Sequence, residues 1–236
     1  MVQRTALVTG ASGGIGVHVV ERLRRDGFEV ITSDVVGDVD LRLDVVNDPL
    51  PSEVFDQVDV IVSNAATVDT IAPTESISRE KWQRDVDVNL TGAFRVIQAC
   101  LRGMRERRYG RIIGISSVAS TSGLSGKIAY AASKAGLNAA VKTIAIETAE
   151  QGITANCVLP GFVNTPGLRA LPRSAFEHLL SAMPTGRFCE PAEVADVIGF
   201  LAAESSAYIT GQEITIDGGL SLHRLSMLGG QVGTNK

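Results

Sequence analysis

Apolar residues follow two alternating spacings along this chain. Short runs rich in Val and Ile, apolar at nearly every position, fall at Thr5–Val8, Glu29–Thr32, Val39–Leu43, Val58–Ser63, Gly110–Ser116, Ile153–Val158 and Glu213–Ile216. Runs of this kind read as strands buried on both faces of a sheet. Between them, apolar positions recur at helical spacing over Gly14–Asp26, Arg79–Arg107, Lys127–Glu150, Arg173–Ser181 and Pro191–Ala203. The last of these opens with Pro191 and carries Glu193 in its first turn, both favourable at a helix N-terminus. Strands alternating with helices predict a doubly wound α/β fold of about seven parallel strands with helices on both faces. Residues 44–57 join two of these strands and hold Pro49 and Pro51, so any helix there is short. The catalytic domain is expected over 1–219, with a substrate loop at about 161–184. A tail, 220–236, lacks either periodicity.

Bulk composition narrows the function classes. The 236 residues carry 44% hydrophobic and 20% charged side chains, which suits one globular domain. The net charge of −4 argues against a general nucleic-acid binder. No apolar stretch has the length of a membrane span, and the N-terminus lacks the layout of a signal peptide. Cys100, Cys157 and Cys189 are odd in number and widely spaced, which suits reduced thiols in the cytoplasm. His18, His178 and His223 show no metal-ligand spacing with each other or with the cysteines, so no metal is expected.

Candidate chemistry centres on Ser117, Tyr130 and Lys134. Tyr130 and Lys134 stand four apart in a helical pattern and therefore share a face. A free phenol titrates near ~10, too high for proton exchange at neutral pH. A nearby cation favours the phenolate, and lowering the value by about 3 units takes roughly 4 kcal/mol of differential interaction. The triplet reads as a general acid/base for carbonyl and alcohol chemistry.

After the first strand comes Thr9-Gly10-Ala11-Ser12-Gly13-Gly14-Ile15-Gly16, leading into a helix. Glycines allow a sharp turn and close backbone approach, and the helix N-terminus presents free N–H groups to a pyrophosphate. Asp34 follows the second strand, where a carboxylate accepts hydrogen bonds from ribose hydroxyls and repels a 2′-phosphate. Neither position 13 nor position 35 carries Arg or Lys. Both facts favour NAD(H) over NADP(H). Asp44 and Val45, after the third strand, are placed to meet the adenine. Asn64-Ala65-Ala66, after the fourth, offers small side chains beside the cofactor.

With these motifs the chain resembles the short-chain dehydrogenase/reductase family as far as Gly219. The resemblance rests on Thr9 to Gly16, Asn64-Ala65, Asn89 in Val88-Asn89-Leu90, Ser117, Tyr130 with Lys134, and Pro160-Gly161 with Thr165. It implies a Rossmann-type domain and hydride transfer between a nicotinamide and a carbonyl carbon. It also implies roles: Tyr130 exchanges the proton, and Ser117 positions the oxygen. Lys134 lowers the tyrosine pKa and bonds the nicotinamide ribose, while Asn89 holds a water linking Lys134 to solvent. Pro160, Gly161, Val163 and Thr165 would lie against the nicotinamide. One departure is Ala66, where the family usually has Gly.

Segments 105–113, 153–162 and 208–211 look most like bacterial 3-oxoacyl-thioester reductases. That likeness implies an acidic carrier protein docking near Arg102, Arg105, Arg107 and Arg108, and a homotetramer. The small residues Ala131, Ala132, Ala135, Gly136, Ala139 and Ala140 suit a close helix interface. Leu168, Leu171, Phe176, Leu179, Leu180 and Met183 supply an apolar lid. Those reductases generally prefer NADPH, whereas Asp34 points to NADH. The first expectation is therefore an NAD(H)-dependent ketone reductase acting on a 3-oxoacyl thioester. The alternative is an NAD-dependent dehydrogenase of a small or cyclic secondary alcohol or diol. A non-catalytic NAD(H)-binding scaffold is disfavoured by the intact Asn89, Ser117, Tyr130 and Lys134.

Overall fold

A computed structural model describes residues 3–222. The strands are β1 (Thr5–Thr9), β2 (Glu29–Asp34), β3 (Leu41–Arg42), β4 (Val60–Ser63), β5 (Gly110–Ile115), β6 (Ile153–Pro160) and β7 (Glu213–Ile216). They form one parallel sheet in the order β3-β2-β1-β4-β5-β6-β7. The chain winds outward from β1 to β3, returns to β4 beside β1, and then winds outward the other way. The order reverses between β1 and β4, and ligands in such sheets bind at the carboxyl ends of the strands there.

The helices are α1 (Gly16–Arg25), α2 (Ser52–Phe55), α3 (Arg79–Val86), α4 (Ala93–Arg107), α5 (Ala119–Ser122), α6 (Ile128–Thr148), α7 (Pro166–Arg169), α8 (Arg173–Ala182) and α9 (Pro191–Ala202). They cover both faces. One core packs Phe55, Ile97, Met104, Leu137 and Val141 beneath the sheet. The other packs Val19, Leu23, Val194 and Ile198 above it. Every residue of β5 and β6 is buried, including the polar Arg111, Thr154 and Asn156.

The expected single helix over 79–107 is interrupted. Asp87–Gly92 forms a π-helical turn between α3 and α4. The extra residue per turn aims Asn89 inward, where it is fully buried, and such turns recur at functional sites. The third strand is also shorter than its pattern. The carboxylate of Asp40 folds back to accept from Thr32 N (2.9 Å) and Thr32 Oγ1 (2.7 Å), so only Leu41 and Arg42 pair with β2. The short helix expected in 44–57 is α2. The tail expected over 220–236 lies outside the described residues beyond Leu222, as does His223.

Candidate active site

The glycine turn sits at the carboxyl end of β1. Gly10 has φ +64°, which favours glycine, and a Cβ there would press on Ala65 Cα and Asn64 Nδ2 at 2.9 Å. Asn64 secures this turn: its Nδ2 donates to Thr9 O (3.0 Å) and Gly10 O (2.9 Å). Thr9 Oγ1 in turn accepts from the backbone N–H groups of Asn64 and Ala65, both at 3.1 Å. Asn64 and Ala65 therefore hold the turn at Gly10, and Ala66 follows them. Gly14 approaches Thr165 so closely that a Cβ would lie 2.8 Å from its side chain.

A 410 Å³ groove opens between the glycine turn and the segment after β6, lined by Ser12, Gly13, Gly14, Asn164, Pro166 and Arg169. Ile15 packs on the upper core, and Gly13 O accepts the first helical bond of α1 from Val17 N. The backbone of Gly161 donates to Ile216 O at 2.9 Å. Val163 is buried, and Thr165 Oγ1 caps α7 by accepting from Leu168 N. Close-packed glycines facing a groove at a helix N-terminus fit a dinucleotide pyrophosphate.

Asp34 faces the same turn. Its Oδ2 accepts from Ser12 N (3.0 Å), and its Oδ1 accepts from Val35 N (2.7 Å) and Val36 N (3.3 Å). Asp44 follows β3. Its carboxylate closes its own turn, accepting from Val46 N (2.8 Å) and Asn47 Nδ2 (2.9 Å). The Val46 bond leads in holding that carboxyl below its usual range. The carbonyls of Val45 and Val46 accept from Arg95, which ties α4 to this turn.

Ser117 and Tyr130 meet at the carboxyl end of β5. Burial pushes the Tyr130 phenol above its ordinary value, and a hydrogen bond with the Ser117 hydroxyl pulls it partly back. Lys134 is buried on α6, with Nζ 5.8 Å from the Tyr130 ring centroid. Nζ donates to Ile115 O at 2.7 Å. Burial lowers the lysine pKa to about 8. In the protein alone, burial and the Ser117 bond set the direction of the tyrosine shift. The ammonium is itself strained by desolvation and is turned toward a carbonyl.

Asn89 closes on Thr67, accepting from Thr67 N (2.8 Å) and donating to Thr67 O (3.0 Å). No hydrogen bond joins it directly to Lys134. Thr67 and the Ile115 carbonyl are therefore supporting groups that motif spacing did not single out, whereas Thr9 opens the glycine motif; a lone threonine and a strand-end carbonyl carry no distinctive sequence signal.

The expected basic patch is partly tied inward. Arg102 pairs with Asp56, Arg107 Nε donates to Asp59 Oδ1 at 2.9 Å, and Arg108 bonds Glu150 O at 2.6 Å. Of the small residues on α6, Gly136 faces its own chain, since a Cβ would lie 2.8 Å from Leu90. Phe176 packs edge-to-face on Phe188 at 4.9 Å and Met183 is buried, so two of the six lid residues belong to the fold. Among the described residues, no cluster of three metal-ligating side chains occurs and no helix is long and apolar enough to cross a membrane.

A sheet reversing beside a glycine turn, with a phenol, a hydroxyl and a buried ammonium at the next strand end, defines a dinucleotide-dependent oxidoreductase. Comparison with known proteins agrees. Residues 46–221 match the family model described as Enoyl-(Acyl carrier protein) reductase. The chain is 37% identical to the 3-oxoacyl-[acyl-carrier-protein] reductase MabA of Mycobacterium tuberculosis, covering 94% of each. It is 38% identical to the 3-oxoacyl-[acyl-carrier-protein] reductase FabG of Vibrio cholerae, over 92% of this chain and 97% of that one. A solved oxidoreductase of the short chain dehydrogenase/reductase family from Burkholderia thailandensis superposes with a TM-score of 0.84 at 34% identity, covering 94% of each chain. The chain belongs to the short-chain dehydrogenase/reductase family, whose members bind a nicotinamide cofactor.

Proposed function

We propose that the protein is an NAD(H)-dependent ketone reductase acting on a 3-oxoacyl thioester, with Tyr130 as the proton donor. The observation that carries the chemistry is Tyr130 held by Ser117 over the buried Lys134. The substrate class rests on relatives whose names specify 3-oxoacyl-carrier-protein reduction. Asp34 beside the glycine turn supports NAD(H).

When bound, the nicotinamide supplies the hydride that the carbonyl carbon receives. The residues then manage charge and proton. Ser117 and Tyr130 hydroxyls meet the carbonyl oxygen as negative charge develops there. Tyr130 is protonated in the free protein because burial holds its pKa up, which suits an acid in the reductive direction. Delivery of that proton leaves a phenolate, which the Lys134 ammonium compensates. With a pKa of about 8, Lys134 is mostly charged at neutral pH. Asn89 positions the strand-end segment through Thr67. An acidic carrier delivering the thioester would meet Arg105, exposed at the end of α4 and outside the ion pairs that engage Arg102 and Arg107. The exposed alanines of α6 would pack against a second subunit of a tetramer.

Initial rates with acetoacetyl thioester and NADH, compared with NAD-driven oxidation of small and cyclic secondary alcohols and diols, test this reading. Faster thioester reduction supports it. Turnover confined to the alcohols would move the assignment to a dehydrogenase, and turnover of neither in a protein that binds NADH would leave a binding scaffold.

A further inference from the structure

We propose that Arg42 is a cofactor-specificity residue that reads the 2′-phosphate of NADP(H), so that the protein binds both dinucleotides with only a modest preference for NAD(H). This rests on the dinucleotide reading of the site above. The two positions at which a basic residue would be sought from sequence are Gly13 and Val35, and neither is basic. The cation arrives from the neighbouring strand instead. Asp34 and Arg42 are registered partners across β2 and β3. Partners in adjacent strands lie about 4.8 Å apart and point their side chains to the same face of the sheet. The Asp34 side chain turns toward the glycine turn, reaching Ser12 N. Arg42 accordingly lies on the same face of the sheet as Asp34, next to the loop that follows it.

Its position there is fixed. Arg42 Nε donates to Val35 O at 3.2 Å, which lays the guanidinium against the loop following Asp34. That loop is itself clamped to the glycine turn, since Ser12 Oγ donates to Val36 O at 3.0 Å. Among the described residues Arg42 forms no ion pair, and no hydrogen bond engages its two terminal nitrogens. Other arginines of this protein, such as Arg22, Arg102, Arg107 and Arg187, are each paired with a carboxylate. An unpaired guanidinium whose one bond orients it is suited to a phosphate, which it grips through parallel N–H groups.

The hydrogen bonding of Asp34 points the same way. A carboxylate has about four acceptor positions. Three are taken by the backbone N–H groups of Ser12, Val35 and Val36. One remains for a ribose hydroxyl, short of the two a bidentate grip requires. Its charge still disfavours a 2′-phosphate, and the Arg42 charge offsets that repulsion.

Equilibrium titration of the intact protein with NADH and with NADPH, followed by nucleotide fluorescence, tests the assignment without relying on turnover. Wild type is expected to bind both. Arg42→Met should weaken NADPH binding about tenfold or more, the loss expected for a charge-assisted phosphate contact, and change NADH binding less than twofold. Arg42→Lys keeps the charge and should retain most of the NADPH affinity. Raising salt from about 50 to about 500 mM should weaken NADPH in wild type more than in Arg42→Met. Equal losses for both nucleotides, or unchanged NADPH binding in Arg42→Met, would overturn the proposal. So would a wild type that binds NADH and not NADPH. Failure of wild type to bind either nucleotide would instead remove the dinucleotide reading itself.

Discussion

Replacing Lys134 by Met should separate stability from function. Lys134 is 2% exposed, and burial takes its pKa from 10.5 to about 8. At about 1.36 kcal/mol per unit, the charged form costs the folded state about 3 kcal/mol near neutral pH. Methionine has similar length and no charge to desolvate. Against that gain stands the bond from Nζ to Ile115 O, whose loss leaves a buried carbonyl short of a partner at about 1–3 kcal/mol. Lys134→Met should therefore be as stable as wild type at pH 7 or more stable by up to about 2 kcal/mol, while ketone reduction is lost. The sign of the pH dependence sharpens the test. Because the folded pKa lies below the unfolded one, the unfolded chain binds the extra proton between about 8 and 10.5. Wild type then gains stability as pH rises through that window. Relative to Lys134→Met, the gain between pH 8 and 10 should be about 2 kcal/mol. Subtracting the variant cancels the other groups that titrate there. Urea denaturation of both proteins at pH 7, 8, 9 and 10 gives the difference directly. A variant less stable than wild type by more than about 1 kcal/mol at pH 7, with a flat difference up to pH 10, would refute the reasoning.

Three other outcomes follow from the geometry. Asn89→Ala strips partners from both Thr67 N and Thr67 O, so stability should fall by about 2–4 kcal/mol, seen as a lower urea midpoint; an unchanged midpoint would mean the amide is not supporting that segment. Gly14→Ala drives a methyl to within 2.8 Å of the Thr165 side chain. An overpacking cost of about 1–3 kcal/mol should appear as about 5- to 150-fold weaker NADH binding in a folded protein, and unaltered affinity would contradict the close approach. Glu193 is held at a pKa of about 2, first by its paired bonds to Arg187 and then by Glu190 N. Its contribution is present above about 4.5 and lost as pH falls toward 2. Being partly exposed, it should cost about 1 kcal/mol when changed to Gln at pH 7 and nothing at pH 2, measured by chemical denaturation.

How far the sequence reveals this molecule depends on what each signal measures. The strands β1, β2, β4, β5, β6 and β7 coincide with largely apolar runs because both faces of the sheet are covered, so most positions are apolar on either face. The amphipathic pattern over 79–107 gives no sign of its π-helical turn, since one extra residue shifts the phase without breaking the stripe. The pattern over 39–43 overstates β3 because Asp40 has a better partner in Thr32 than in the sheet. At the site, motif spacing singles out Gly10, Gly14, Ser117, Tyr130 and Lys134. It does not show where hydrogen bonds end up. Asn64 and Asp44 hold turns, Asn89 holds Thr67, and Lys134 faces a carbonyl. Those outcomes depend on which backbone groups the tertiary fold leaves without partners.

The most direct test of the account is the single-turnover rate of acetoacetyl-thioester reduction by NADH in wild type and Tyr130→Phe, with NADH affinity measured alongside. The account predicts unchanged NADH affinity and a rate lower by about 10²–10⁴-fold, the usual contribution of a positioned acid. A variant that binds NADH and reduces the thioester within tenfold of wild type would contradict the assignment of Tyr130 as proton donor.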